Sequence, residues 1–272
     1  MKFFLGTHRP NWLSDERFAD VPLFLSRRML DRYKAPPPAL TEFALDSGGF
    51  TELQIHGRWT VSPEAYADQV RQYARFYGRR LLWVAPQDWM CEPIVLAGGP
   101  AARGIVFAGT RLTVEEHQRR TVANFVELRR ALGALVVPVL QGWTTPDYWR
   151  CCDLYADAGV DLFEEPTVGV GSVCRRQSTA EATTIMTTLA SSGLRLHGFG
   201  FKKGGLKNCH RLLASADSAS WSDVGRRRVL LEGHDRPGPG RPRGHKNCAN
   251  CAEWALAWRN EMLSSLEVPC AA

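Results

Sequence analysis

No stretch of the 272-residue sequence approaches the roughly 18 consecutive apolar residues that a membrane-spanning helix needs. The N-terminal apolar run, Phe3-Phe4-Leu5, is too short for a secretory signal, so a soluble cytoplasmic protein is expected. Acidic residues are in the minority, 28 against 34 Lys and Arg, and the net charge of +6 suits either a polyanionic partner or a merely basic soluble protein. There is no internal repeat, and low complexity is confined to one basic loop. With 44% hydrophobic and 23% charged residues, a disordered tail or a fibrous protein is excluded. Cysteine is too dilute for a disulfide scaffold: there are eight, and two of them form Cys248-Ala-Asn-Cys251 with His245 just upstream, a spacing that reads as metal in a reducing compartment.

What is present is an alternation of two signals. Short apolar runs that suit buried strands occur at Phe43–Leu45, Leu81–Val84, Leu135–Leu140, Val168–Val170, Leu194–Phe199 and Leu212–Ala214. Between them lie marked helix starts: Ser62 before Pro63, a Thr113 to Glu116 capping box, Thr145-Pro146-Asp147, and Ser178-Thr179-Ala180-Glu181. These predict helices ending near Gly78, Gly133, Gly159 and Gly193. Strand and helix in regular alternation imply a parallel sheet, and the number of units favours an α/β fold of the closed (β/α)8 TIM-like type. Length alone also admits two domains of about 130 residues.

The composition changes after Trp221. Between Gly225 and Lys246 lie six arginines and three prolines with little apolar content, which predicts a basic loop, followed by a terminal helix over 252–266. The expected division is a barrel over 1–222 and, over 223–272, a small zinc-binding appendage of basic loop, Cys/His motif and helix. In a barrel of this kind functional residues gather at the C-terminal ends of strands. The polar residues following the predicted strands are Asp46-Ser-Gly-Gly-Phe50, Gln87-Asp88-Trp89, Gln141-Gly142-Trp143 and Asp217-Ser218, so three carboxylates and an amide can face one pocket.

Taken in order, Asp46-Ser-Gly-Gly-Phe50, Val139-Leu-Gln141-Gly142, Val168-Gly-Val-Gly-Ser172, a late strand ending in Asp217, and a Cys/His motif before a terminal helix resemble the tRNA-guanine transglycosylase superfamily. Leu5-Gly-Thr-His-Arg-Pro-Asn-Trp-Leu13, Ser172-Val-Cys-Arg-Arg-Gln177, His197-Gly-Phe-Gly200 and Ser215-Ala-Asp-Ser218 look like the branch that acts on DNA, the DpdA-like deazapurine DNA modification proteins. The resemblance spans nearly the whole chain.

It implies exchange of guanine in DNA for a free 7-deazaguanine base, such as 7-cyano-7-deazaguanine, with net retention and no nucleotide cofactor. Asp217 falls at the family's nucleophile position and Asp46 at that of the second catalytic aspartate. Phe50 would stack on the base, Asp88 and Gln141 would read its edge, and the turn at Gly169 would offer backbone groups. Structural zinc would be held by His245, Cys248, Cys251 and a fourth ligand drawn from His234, Cys209 or Cys270, with His234 preferred because the Pro/Gly loop can fold back. Here the chain departs from the tRNA enzymes, which place three cysteines together with a histidine downstream. Arg226, Arg227, Arg228, Arg236, Arg241 and Arg243 would meet DNA phosphates, Trp89 and Trp143 could stack on a flipped base, and a helicase-like partner could open the duplex. The same exchange on tRNA, or a non-catalytic zinc-containing nucleic-acid-binding role, are the competing readings.

Overall fold

The computed structural model describes residues 1–174, 176, 179–227, 230–237 and 244–267, apart from the side chains of residues 103 and 267. Its strands are β1 (Lys2–Thr7), β2 (Leu23–Ser26), β3 (Phe43–Asp46), β4 (Leu81–Val84), β5 (Gly99–Pro100), β6 (Val106–Phe107), β7 (Val139–Leu140), β8 (Val168–Val170), β9 (Leu196–Gly198) and β10 (Ser215–Ser218). All but the small antiparallel β5–β6 pair belong to one eight-stranded parallel sheet, ordered β4-β3-β2-β1-β10-β9-β8-β7. Its helices are α1 (Arg27–Leu30), α2 (Gly49–His56), α3 (Pro63–Tyr77), α4 (Pro93–Ala97), α5 (Val114–Leu132), α6 (Thr145–Asp157), α7 (Ala180–Ser191), α8 (Lys203–Cys209), α9 (Ser220–Arg227) and α10 (Ala252–Glu267).

The strands are buried on both faces, and alternate residues therefore enter two different cores. Phe4, Phe24, Ala44, Trp83 and Val137 make the inner one. Leu5, Leu23, Leu25, Phe43 and Leu45 point outward into the larger core shared with helix residues such as Tyr66, Val70, Phe125, Tyr155 and Ile185. Filling the inner face with large aromatics curls the sheet, so that its edge strands approach: Val84 bridges Val136, and Val137 N–H donates to Val84 O at 3.1 Å. Among the described residues that bridge is the extent of the β4–β7 pairing, so what is observed is a curled, eight-stranded TIM-like sheet flanked by helices.

The capping chemistry behaves as the sequence predicts. Ser62 Oγ accepts from Ala65 N–H at 3.2 Å to start α3, and Thr113 Oγ1 accepts from Glu116 N–H at 3.2 Å to start α5. Three expectations need correction. The apolar run Leu212–Ala214 precedes the last strand instead of forming it, because β10 turns Ser215 and Asp217 into the interior, where Ser215 Oγ lies 2.8 Å from His197 Nδ1. The strands β1 and β2 were not foreseen. Residues 225–227 are not loop: α9 runs to Arg227, braced by an Arg227–Asp223 ion pair of 2.7 Å at i, i+4 spacing. This helix crosses residue 222, and the segment beyond is tied back to it by Ser222 Oγ donating to Ala249 O at 2.8 Å and Trp254 Nε1–H to Trp221 O at 2.9 Å. No helix among the described residues is long and apolar enough to cross a membrane.

Candidate active site and metal centre

Parallel strands release their C-terminal ends on one side of the sheet, and there Asp46 (end of β3), Asp88 (after β4), Gln141 (after β7) and Asp217 (in β10) line a single cavity of about 210 Å³. That volume is below the roughly 300 Å³ at which drug-sized pockets begin, and it suits one heterocycle. Phe50, from the first turn of α2, forms part of the wall; its ring is 37% exposed and meets Phe107 edge-on at 5.7 Å. Phe24, Phe199, Met90, Val170 and Ala85 supply apolar lining.

Asp46 and Asp217 are each oriented by a backbone N–H, and Asp88 by a side-chain amide. Gly48 N–H donates to Asp46 Oδ2 at 2.9 Å, and Gly48 holds φ +85°, so a side chain there would be strained and would also meet Arg28. Buried Arg27 fastens the same turn from behind, donating through Nε to Ser47 O at 3.2 Å and through Nη1 to Asp31 Oδ2 at 2.8 Å. Gly200 N–H donates to Asp217 Oδ1 at 2.9 Å, and fully buried His197 stands beneath with Nε2 3.5 Å from the same oxygen. Gln141 Nε2–H donates to Asp88 Oδ2 at 2.5 Å.

Desolvation dominates the electrostatics. Burial pushes Asp46 up to about 6, against the Gly48 hydrogen bond and with the negative charge of Asp217 adding to the rise. Burial likewise raises Asp88 to about 7, the Asp46 and Glu92 charges contributing and the Gln141 bond opposing. Two aspartates that would be fully ionised in water thus titrate close to neutrality, which suits proton transfer and hydrogen-bond exchange.

The sequence reading missed Glu92, a buried residue after β4 that also lines the cavity. Ser172 Oγ is within reach of both Glu92 Oε2 (2.9 Å) and Gln141 Oε1 (2.7 Å), and accepts from Cys91 N–H at 2.7 Å. Ser172 has φ +57°, rare outside glycine. Gly169 does not line the cavity: it is buried in β8, where an added Cβ would press on Phe199. Gly171 does line it, and a Cβ there would overlap the Gln141 amide. Trp89 is a core residue, 6% exposed, stacked under the Arg120 guanidinium, and Trp143 is covered by Arg176 at 4.0 Å, so neither reaches the cavity.

Four side chains meet beyond α9. The ligand atoms of His234, His245, Cys248 and Cys251 all lie within 4.8 Å of one another. His234 Nδ1 is 3.6 Å from both thiol sulfurs, and tetrahedral Zn–N and Zn–S bonds of about 2.05 and 2.3 Å would set an N···S edge of about 3.6 Å. The donor set therefore fits a structural metal such as zinc. Glu253 Oε2 accepts from His234 Nε2 at 2.7 Å and so fixes the tautomer that presents Nδ1 inward. Cys209 sits elsewhere, in α8, and Cys270 lies outside the described residues. Of the arginines, Arg226 and Arg227 close the last turn of α9, and Arg236 is exposed beyond it, while Arg228, Arg241 and Arg243 lie outside the described residues.

Comparison with curated proteins finds no match. A family model described as DpdA, DeoxyPurine in DNA protein A, matches residues 1–270, and a match over nearly the whole length makes the chain a member of that family, which is concerned with deazapurine modification of DNA.

Proposed function

We propose that the protein exchanges guanine in DNA for a free 7-deazaguanine base by two successive in-line displacements at C1′, each inverting it, with net retention. The observation that carries this reading is the convergence of Asp46 and Asp217, from strands distant in sequence, on one base-sized cavity that the Asp88–Gln141 pair also lines. In the first step an Asp217 carboxylate oxygen bonds to C1′ of the target nucleotide. The C1′–N9 bond breaks, its electron pair stays on the guanine, and Asp46, as the carboxylic acid, supplies the proton that neutralises the departing base. In the second step Asp46, now the carboxylate, removes N9–H from the incoming deazaguanine. Its N9 attacks C1′ and the Asp217–C1′ bond breaks, restoring the carboxylate, with the phosphodiester backbone untouched throughout.

A folded-state value near 6 leaves Asp46 able to serve in both protonation states at neutral pH. Gly200 N–H and the His197 imidazole hold Asp217 in place for attack. Ionised Asp88 accepts from the N–H and amino donors of the guanine-type edge, its own geometry set by Gln141. Phe50 stacks over the ring, and the exposed Arg226 contacts phosphate. Zinc bound at the Cys/His cluster would supply cross-linking of the chain between α9 and α10, with no part in the chemistry.

The test is release of labelled guanine from DNA in the presence of a 7-deazaguanine, run beside tRNA. Exchange on DNA alone is expected. Exchange confined to tRNA would move the protein to the RNA-modifying reading, and DNA binding without exchange on either polymer would make it a binding protein.

A further inference from the structure

The geometry points to a second nucleic-acid element at the same end of the sheet: a groove for the DNA sugar–phosphate backbone formed by His8, Arg9, Asn11, Arg32, Tyr33 and Asn250. It rests on the reading of DNA as the substrate, and it names a surface on which the backbone beside the exchanged nucleotide would lie. The cavity measures about 480 Å³, and its lining contains no Asp or Glu. Every charged group in it is therefore a cation or an imidazole.

Its position follows from register. Phe4 of β1 pairs with Asp217 of β10, and Leu5 pairs with Ser218. From that level β1 runs on through Thr7, so His8 emerges about 13 Å along the strand from the partner of the proposed nucleophile, on the side to which the strand ends point. The close approach is enforced by Gly6, where any Cβ would collide with the Ser218–Ala219 backbone.

The groove is also pre-organised. The His8 ring is stacked on Trp221 at 5.7 Å and 10°, and its Nε2 is 2.5 Å from Asn250 Oδ1, which lies between the two metal-motif cysteines. Arg9 has its main chain pinned by Thr7 Oγ1 at 3.0 Å, yet its buried Nε finds no hydrogen-bond partner. A desolvated guanidinium donor left unspent costs stability unless a ligand uses it, and phosphate oxygens are the acceptors that guanidinium matches best. Neighbouring Asp31 does not neutralise the groove, because it is already taken by Arg27 at 2.8 Å and Tyr73 OH at 2.7 Å. Exposed Tyr33 offers a ring against which a sugar or base can pack.

The test is the salt dependence of binding to a single-stranded DNA oligonucleotide by the full-length protein, wild type against Arg9→Gln/Arg32→Gln. Loss of two phosphate contacts should make the log–log salt slope shallower by about 1.4. Arg32→Gln alone, at an exposed position that cannot disturb folding, should account for about 0.7 of it. In the exchange assay the double variant should raise KM for DNA and leave KM for the free base unchanged. An unaltered slope, or a slope altered for tRNA and not for DNA, overturns the groove. Failure of the wild type to exchange any base, with the slope change still present, would overturn the proposed reaction and not the groove.

Discussion

Gln141 and Asp88 stand 53 positions apart in sequence, yet the Gln141 amide donates directly to the Asp88 carboxylate. The two residues follow β7 and β4, the edge strands of the sheet, so this hydrogen bond spans the seam that, among the described residues, the backbone pairs at the Val84–Val136 bridge. The proposed base-reading pair therefore exists only if the sheet curls far enough to bring its edges together, and the seam and the cavity wall depend on each other.

The first prediction concerns pH and stability. Asp88 is raised to about 7 in the folded protein, above its ordinary value of 3.8, so between those values the native state binds more protons than the unfolded chain. Stability should accordingly fall as pH rises from about 4 to about 7 and then level off, with Asp46 adding to the fall up to about 6. Asp88→Asn removes part of this slope and should be more stable than wild type at pH 8 by on the order of 1–3 kcal/mol. Denaturant midpoints measured from pH 4 to 8 check it; parallel curves for the two proteins would count against the raised Asp88.

Base recognition should follow the same titration in the opposite sense. Only the ionised Asp88 accepts from a guanine-type edge, so KM for the free base should rise as pH drops below about 7, and this dependence should vanish in Asp88→Asn at a uniformly higher KM.

For the chemistry, Asp217→Asn should abolish base exchange and leave oligonucleotide affinity within about twofold of wild type, since one small buried group changes and the electrostatic footprint does not. Asp46→Asn should slow exchange by about 10²–10⁴. If Asp46 moves the proton and does not form the covalent bond, a DNA adduct on Asp217 should accumulate in that variant and be detectable by denaturing electrophoresis. Normal turnover in Asp217→Ala would remove that residue from the mechanism.

Gly171→Ala isolates the seam. The new methyl would overlap the Gln141 amide and drive it from Asp88, so a loss of about 1–3 kcal/mol in stability and a raised KM for the base are expected together. Gly171 does not hold a positive φ, so the added methyl acts through the clash with Gln141 and not through backbone strain.

At the metal cluster, purified protein should carry one zinc per chain, and a chelator or Cys248→Ser/Cys251→Ser should lower the melting temperature. Glu253→Ala, which frees His234 Nε2, should weaken metal affinity about 10–100-fold without removing a ligand. Unchanged metal content in the double cysteine variant would exclude the cluster as the binding site.

The sequence by itself determined the longer helices α3, α5, α6, α7 and α10 and the polar residues that follow the strands. Caps at Ser62 and Thr113 act over three residues, and so they are legible without any tertiary information. Asp46, Asp88, Gln141 and Asp217 could be picked out because parallel strands, once inferred, all discharge their polar ends on one side. The fourth member of the Cys/His cluster was within reach for the same reason of proximity, His234 being separated from His245 by a Pro/Gly-rich stretch. The tertiary structure alone decided the rest. Ser215 and Asp217 look like the wrong residues for a buried strand until the inner core supplies His197 as a polar partner, and Leu212–Ala214 therefore drew the strand too early. Glu92 has no local signature, since its place in the cavity depends on Ser172, 80 positions away. Arg9 and Arg32 join the same groove only because β1 and β2 are neighbours in the sheet, and that pairing is set by long-range burial of Leu5, Leu23 and Leu25, not by any preference carried in the segments themselves.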